Sequence, residues 1–198
     1  MRRLLLVRHA APAKNPALSA REWALSPSGR ADAERLAEIL APFAPAAIFP
    51  DDPAAIVASD ELKARQTAQP LADRLGLSVE VVAGLHEHER GAVGYMDDET
   101  FQATMARFFA EPDTLVFGEE TANQALARFS RAVEETLARY PEGDIAIFTH
   151  GTVMSLFVAA HSIIKPMDFW WRLHLPAWVI FAVPDFKLLD AHMQLPKA

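Results

Sequence analysis

Cysteine is absent from the 198 residues, so the chain can form no disulfide, thiolate nucleophile or cysteine-ligated zinc or iron–sulfur centre. Long apolar runs are also missing. The run Leu4–Val7 stops after four residues at Arg8-His9, too short for the core of a secretory signal. Trp178–Val183, near the other end, is strand-sized and cannot span a bilayer. No long block of one charge occurs either: 19 Lys and Arg against 26 Asp and Glu give −7. A nucleic-acid binder would normally carry a basic face, so none is expected as partner. An anionic small substrate stays open, because a few local cations can dominate a pocket on an acidic protein. What is present is ordinary for a globular protein, 51% apolar and 23% charged. The length suits one well-buried domain over residues 1–198. The expectation is a soluble cytoplasmic protein without a membrane partner.

Apolar and helical segments alternate along the chain. Leu4–Val7 has the pattern of a strand buried on both faces, followed by a long loop from Ala10 to Leu25. Ser26 is a good N-cap and Pro27 suits the first helical position. Leu36, Ile39 and Leu40 then recur at helical spacing until Pro42. A strand is predicted over Ala55–Ser59, a helix from about Asp60 to Leu75 stopped by Gly76, and a third strand over Ser78–Val82. After an irregular stretch holding Leu85–Tyr95, helices are predicted near Glu99–Phe109 and Thr121–Tyr140. Asp144–Thr149 reads as a fourth strand, Thr152–His161 as a helix, and Trp178–Val183 and Lys187–His192 as closing strands. Strand–helix alternation of this kind predicts a three-layer α/β/α sandwich with a largely parallel central sheet. Ligands in such sheets sit beyond the carboxyl ends of the strands. Arg8-His9, Ser59 and His150-Gly151 all fall at those ends.

An arginine beside a histidine at a strand end can be a satisfied core pair, or it can be a site. Neighbours in a strand point to opposite faces, so both reach one ligand only if the backbone leaves the extended form near residue 8. A neutral imidazole oriented by a backbone carbonyl is a competent nucleophile toward phosphorus.

Several stretches resemble the histidine phosphatase (phosphoglycerate mutase-like) superfamily, in the family's order over roughly residues 4–158. Leu5-Leu6-Val7-Arg8-His9-Ala10 is similar to its Arg-His-Gly strand, and Leu25-Ser26-Pro27-Ser28-Gly29-Arg30 to its Leu-Thr-x-x-Gly helix entry. Ser59–Ala68 resembles its Ser-x-x-Leu-x-Arg-Ala-x-Gln-Thr-Ala block, Leu85-His86-Glu87 with Gly91 its Leu-x-Glu-x-x-x-Gly segment, and Phe148-Thr149-His150-Gly151 its Ser-His-Gly strand end. The resemblance implies a phosphoglycerate mutase-like fold and a phosphomonoesterase that works through phosphohistidine, without a metal or other cofactor, on a small phosphorylated metabolite. It makes His9 the nucleophile, with Arg8 and His150 stabilising the equatorial oxygens. Glu87 is the proton donor and then the base, which calls for a partly desolvated carboxyl with a raised pKa. Asn15, Gly151 and Thr152 complete the substrate-binding set.

Two positions depart from the pattern. Ala10 stands for the usual glycine, a mild change if its backbone angles suit a Cβ. Lys63 stands for the second arginine and offers a point charge in place of a bidentate fork. Arg65 is no substitute, since two residues along a helix is about 200° of rotation. Lys63 is expected to contact the phosphoryl group, with Arg90 as the other candidate cation.

Other readings compete. His86-Glu87-His88-Glu89 could offer metal ligands on alternate residues, although no HExxH helix is present, and a metallohydrolase would follow. His161, His174 and His192 stand alone and read as surface or core residues. Trp170-Trp171 and Trp178 are expected to pack the C-terminal edge, the alternatives being a substrate pocket or a dimer contact; a homodimer stays open. No Gly-x-x-x-x-Gly-Lys-Ser/Thr or Gly-x-Ser-x-Gly occurs, which argues against a P-loop enzyme and a serine α/β-hydrolase. Within the family, mutase-type phosphotransfer would call for a longer stretch than Tyr95–Glu120, and compact members act on protein phosphohistidine. A non-catalytic phospho-ligand binder is the rival outside enzymes.

Overall fold

A computed structural model describes residues 2–41, 55–94 and 96–196. Six strands form one sheet in the order β3-β2-β4-β1-β5-β6. They are β1 (Arg2–Arg8), β2 (Ala55–Ala58), β3 (Val79–Val81), β4 (Ile145–Thr149), β5 (Ala177–Val183) and β6 (Lys187–His192). The first four run parallel, and β5 and β6 add an antiparallel edge beside β1. Among the described residues six helices accompany them: α1 (Pro27–Leu40), α2 (Leu62–Leu75), α3 (Asp98–Ala110), α4 (Ala122–Arg139), α5 (Gly151–Ala160) and α6 (Pro166–Arg172). The chain is thus the mixed α/β sandwich that the sequence predicts, its sheet largely parallel and closed by an antiparallel pair.

The period-2 alternation of β1 divides the core in two. Leu4 and Leu6 pack with Phe129, Val133, Met154 and Phe157 of α4 and α5 on one face of the sheet. Leu5 and Val7 pack with Leu36, Leu40, Ala68 and Leu71 of α1 and α2 on the other. All four β1 side chains are buried, each contributing about 1.5–3 kcal/mol of transfer free energy. The centre of the sheet is therefore rigid, and the site sits at the carboxyl ends of its two central strands.

Element boundaries shift where polar groups find specific partners. β1 begins at Arg2 rather than Leu4, because Arg3 donates its N–H to Asp144 Oδ1 at 2.8 Å and Arg2 donates through Nε to Gly143 O at 2.8 Å. α2 begins at Leu62, not at about Asp60, and Glu61 is its extended N-cap. The loop Ala10–Leu25 contains a short 3-10 turn, Ala20–Glu22, capped by Ser19. Ser26 caps α1 through Gly29 N–H as expected. Pro42 and Tyr95 lie outside the described residues. α6 has no counterpart in the sequence reading.

The tryptophans do not all lie at the C-terminal edge. Trp178 is buried on β5 beside Val7, next to the central strand, and its ring stacks on His192 at 4.5 Å. Trp170 packs against Phe101 and Phe109 of α3, while Trp171 is exposed. Among the described residues no helix is long and apolar enough to cross a membrane.

Candidate active site

Strand β1 ends at Arg8, and His9 lies just past it, held to the end of β4 by its N–H on Thr149 O at 3.0 Å. His9 Nδ1 donates to Ala10 O at 2.7 Å, which leaves Nε2 with the lone pair. Ala10 is fixed in turn, its N–H donating to Thr67 Oγ1 at 3.0 Å while Thr67 donates to Lys63 O at 2.7 Å. A rigid turn of α2 thus holds the carbonyl that orients the histidine. Ala10 is buried and is not among the positive-φ residues, so its Cβ costs no backbone strain. Burial, followed by the neighbouring charges of His150, Lys63 and Arg8, holds the His9 pKa well below 6.5. The ring is neutral, as a nucleophile must be.

His150 ends β4 and caps α5, its ring 5.1 Å from that of His9. Ser59, at the end of β2, lies 2.7 Å from His150 Nε2 through Oγ. Ser59 Oγ also accepts the Glu61 N–H at 3.4 Å. His150 Nδ1 is buried and without a partner. The pKa of His150 is also held well below 6.5, chiefly by burial.

Arg8 turns from the strand end across the start of α5, one Nη donating to Leu173 O. A Cβ on Gly151 would stand 2.9 Å from Arg8 Cζ and Nε, so glycine is needed there for the guanidinium to pass. Burial lowers the Arg8 pKa to about 10, Glu87 opposing and Arg90 adding to the shift. The group stays charged at neutral pH.

Glu87 sits opposite on the loop after β3. Its Oε1 accepts the His88 N–H at 2.9 Å, and its Oε2 accepts the Thr152 N–H at the start of α5 at 3.2 Å. Burial pushes this carboxyl up, but Arg90, His150 and the His88 N–H together outweigh it and hold the pKa at about 2. The raised pKa expected from the sequence is therefore not found. The cause is the favourable charge around the group, in which Arg90, three residues on, is the largest single contributor.

The two candidate second cations differ. Arg90 lies over the Phe101 ring at 5.1 Å and leaves Nη1 buried without a partner. Lys63 is buried beside His9 and His150, but its ammonium is ion-paired with Glu61 Oε2 and donates to Ala20 O at 2.7 Å. Glu61, absent from the sequence-derived set, is itself buried. Its Oε1 accepts the Glu87 N–H at 2.9 Å and lies 3.6 Å from His150 Nε2. Lys63 and Arg8 depress His9, Lys63 and then Arg90 depress His150, Arg90 also acts on Glu87, and Arg65 is exposed.

Arg8, His9, Glu87, Arg90, His150, Gly151 and Thr152 are thus brought together, with Lys63 at their side. Asn15 is not. It is exposed, and its Oδ1 accepts the Ala17 N–H at 3.0 Å in a turn of its own loop. The alternate histidines also part company. His86 Nε2 meets Glu89 at 3.0 Å, whereas His88 is buried between Phe108 and Phe117 and donates to Glu120 O. His161 packs against Phe157 and Phe186, and His174 is exposed. Among the described residues no group of three His, Cys, Asp or Glu could hold a metal ion.

Four polar groups of this cluster are buried and unpaired: Arg8 Nε, Arg90 Nη1, His150 Nδ1 and Thr152 Oγ1. Two are N–H donors of cationic guanidinium groups. Unpaired buried donors cost about 1–3 kcal/mol each, and a tetrahedral oxyanion is the ligand that would satisfy several at once.

Known structures have the same fold. A mycobacterial glucosyl-3-phosphoglycerate phosphatase is 23% identical with a TM-score of 0.71, the match covering 90% of this chain and 89% of that one. A phosphoserine phosphatase mutant from Entamoeba histolytica, in complex with phosphoserine, is 15% identical with a TM-score of 0.76 and 97% coverage of both chains. No curated protein matches the chain. The family model of the histidine phosphatase superfamily (branch 1) matches residues 4–183, and the chain belongs to that superfamily.

Proposed function

We propose that this protein is a phosphomonoesterase that passes the phosphoryl group of a small phosphorylated metabolite through His9 to water, without a metal. The observation that carries this reading is the pair of buried, unpaired guanidinium donors on Arg8 and Arg90 around a neutral His9. Donors of this kind bind phosphoryl oxygens directly and stabilise the charge that develops on them. They would repel a metal cation.

In the first step the lone pair of His9 Nε2 attacks phosphorus as the ester P–O bond breaks. Glu87 gives its proton to the departing oxygen. In the second step Glu87 takes a proton from water, the water oxygen attacks phosphorus, and the P–N bond breaks to restore neutral His9 and release inorganic phosphate. Glu87 is ionised in the free site. A phosphate dianion on Arg8 and Arg90 offsets the positive charge that holds the carboxyl down, and so raises its pKa toward the range a proton donor needs. Substrate binding would thereby arm the acid. The relatives named above act on phosphomonoesters of small molecules, which supports the same substrate class here.

A second reading, a phospho-ligand binder without turnover, is favoured by one observation. The Glu61 ion pair ties up the cation that Lys63 would bring. Steady-state hydrolysis of p-nitrophenyl phosphate separates the readings. Turnover is expected to be unchanged by a chelator and lost in His9→Ala; phosphate binding without turnover would favour the binder, and loss to chelator would refute a metal-free mechanism.

A further inference from the structure

Arg128 lies on α4, outside the catalytic cluster, yet three of its five donors meet the loop that carries Glu87. Its Nη1 donates to Gly84 O at 2.7 Å and to His86 O at 3.0 Å, and its Nη2 donates to Glu87 O at 3.1 Å. The remaining donors meet the Glu120 carboxylate, Nε to Oε2 at 3.1 Å and Nη2 to Oε1. All five guanidinium N–H bonds are therefore used, three of them on consecutive turns of one loop.

Glu120 grips the same loop from its other side. Its Oε1 accepts the Glu89 N–H at 2.9 Å, and its backbone oxygen accepts His88 Nε2–H at 3.0 Å. Glu119 N–H donates to Glu89 O at 2.8 Å. Gly118 makes this approach feasible: its φ is +76°, and a Cβ there would stand 2.3 Å from Glu89 O. Both Glu120 and the Arg128 side chain are shielded from solvent, so the ion pair is held in a setting where a lost partner is costly.

We infer that Arg128 and Glu120 form a clamp that positions Glu87 for proton transfer, a reading that rests on Glu87 being the acid. The Glu87 carboxylate meets one regular element, the first turn of α5. Its contacts are the adjacent His88 N–H and the Thr152 N–H, and neither fixes the backbone on which it rides. Glu61 holds the Glu87 N–H, and the clamp fixes the carbonyls of Gly84, His86 and Glu87 and the N–H of Glu89. Arg128 and Glu120 are positioning residues that need touch neither substrate nor phosphorus.

The test compares kcat/KM for p-nitrophenyl phosphate, whose leaving group needs little protonation, with that for an alkyl phosphate, whose leaving group needs full protonation. This parameter covers only the steps through departure of the leaving group. Arg128→Lys keeps the charge and removes the fork, and Glu120→Gln keeps an acceptor and removes the charge. Each is expected to lower kcat/KM for the alkyl phosphate about 100-fold, the scale of a misplaced catalytic group or lost general acid. The loss for the aryl phosphate should be at least tenfold smaller. Equal losses on both substrates, or none on either, would overturn the clamp. Glu87→Gln in the same assay separates the two levels. If it hits both substrates equally, the acid assignment itself falls; if it alone discriminates between them, only the clamp does.

Discussion

The two halves of the site are held by different means. His9, Arg8, His150 and Gly151 stand at the ends of β1 and β4, paired residue by residue in the middle of the sheet. Glu87 and Arg90 hang on a loop that other loops and one arginine of α4 tie down. The strand half needs only correct strand ends and one small residue. The loop half depends on contacts between segments about 30–40 residues apart, such as Arg128 with His86 and Glu89 with Glu120. The nucleophile and the Arg8 donor thus rest on the strand ends at the centre of the sheet, and the acid and the Arg90 donor rest on the part that mutation can most easily reset.

Substitutions in the loop half should do most to break this contrast. Arg90→Ala removes the cation with a free donor and the main charge acting on Glu87. A loss of about 100-fold or more in kcat/KM is expected, as for a preorganised donor to a developing anion. Lys63→Ala removes an ammonium already committed to Glu61 and Ala20, so its loss should be about tenfold smaller, with the larger part in stability. Steady-state kinetics on both variants checks the order. If Lys63→Ala costs more than Arg90→Ala, Lys63 is the second phosphoryl cation.

A smaller effect tests the strand half. Gly151→Ala places a methyl 2.9 Å from Arg8 Cζ and should displace the guanidinium. The expected loss is about 10-fold in kcat/KM, carried largely by KM, because a misdirected charge-assisted donor weakens phosphoryl binding. Inorganic phosphate should inhibit the variant correspondingly less well. A wild-type inhibition constant would show that Arg8 is not where its donors matter.

The smallest effect concerns stability against pH. His9 and His150 are neutral in the fold, with pKa values well below 6.5. The unfolded chain takes up their protons first, so stability falls as pH drops below about 6.5 toward the folded values. Glu87, held at about 2, adds stability that is present above its unfolded value near 4.3 and lost as pH falls toward 2. The melting temperature should therefore decline from pH 7 to pH 5, and inorganic phosphate should reduce the decline by favouring protonated His150. A melting temperature flat over that range would contradict the buried, neutral pair.

Much of the strand half was legible in the sequence, because it is local. A four-residue apolar run followed by Arg8-His9, and a fourth strand ending in His150-Gly151, give both element and function within a few residues. The loop half was legible only in part. Glu61 was hidden by a boundary: a helix starting at Asp60 puts residues 61 and 63 about 200° apart. With the helix starting at Leu62, extended Glu61 folds back onto Lys63. Arg128 left a signal that can be read in retrospect. It lies three residues after Ala125 and four before Ala132, on the buried stripe of α4, where a cation needs a partner. The depressed pKa of Glu87 could not be foreseen, since the same burial that raises a carboxyl is outweighed here by charges whose placement is tertiary. α6 was missed because seven residues are too few to show a helical period.

The central claim is that His9 carries the phosphoryl group, and trapping that species tests it most directly. The protein is mixed with p-nitrophenyl phosphate labelled in its phosphorus and quenched within milliseconds in alkali, and the chain is assayed for bound label. The expected result is label that survives alkali and is lost in acid, as a phosphoramidate is, approaching one per chain and absent from His9→Ala. Label that resists acid, or turnover that persists in His9→Ala, would contradict it.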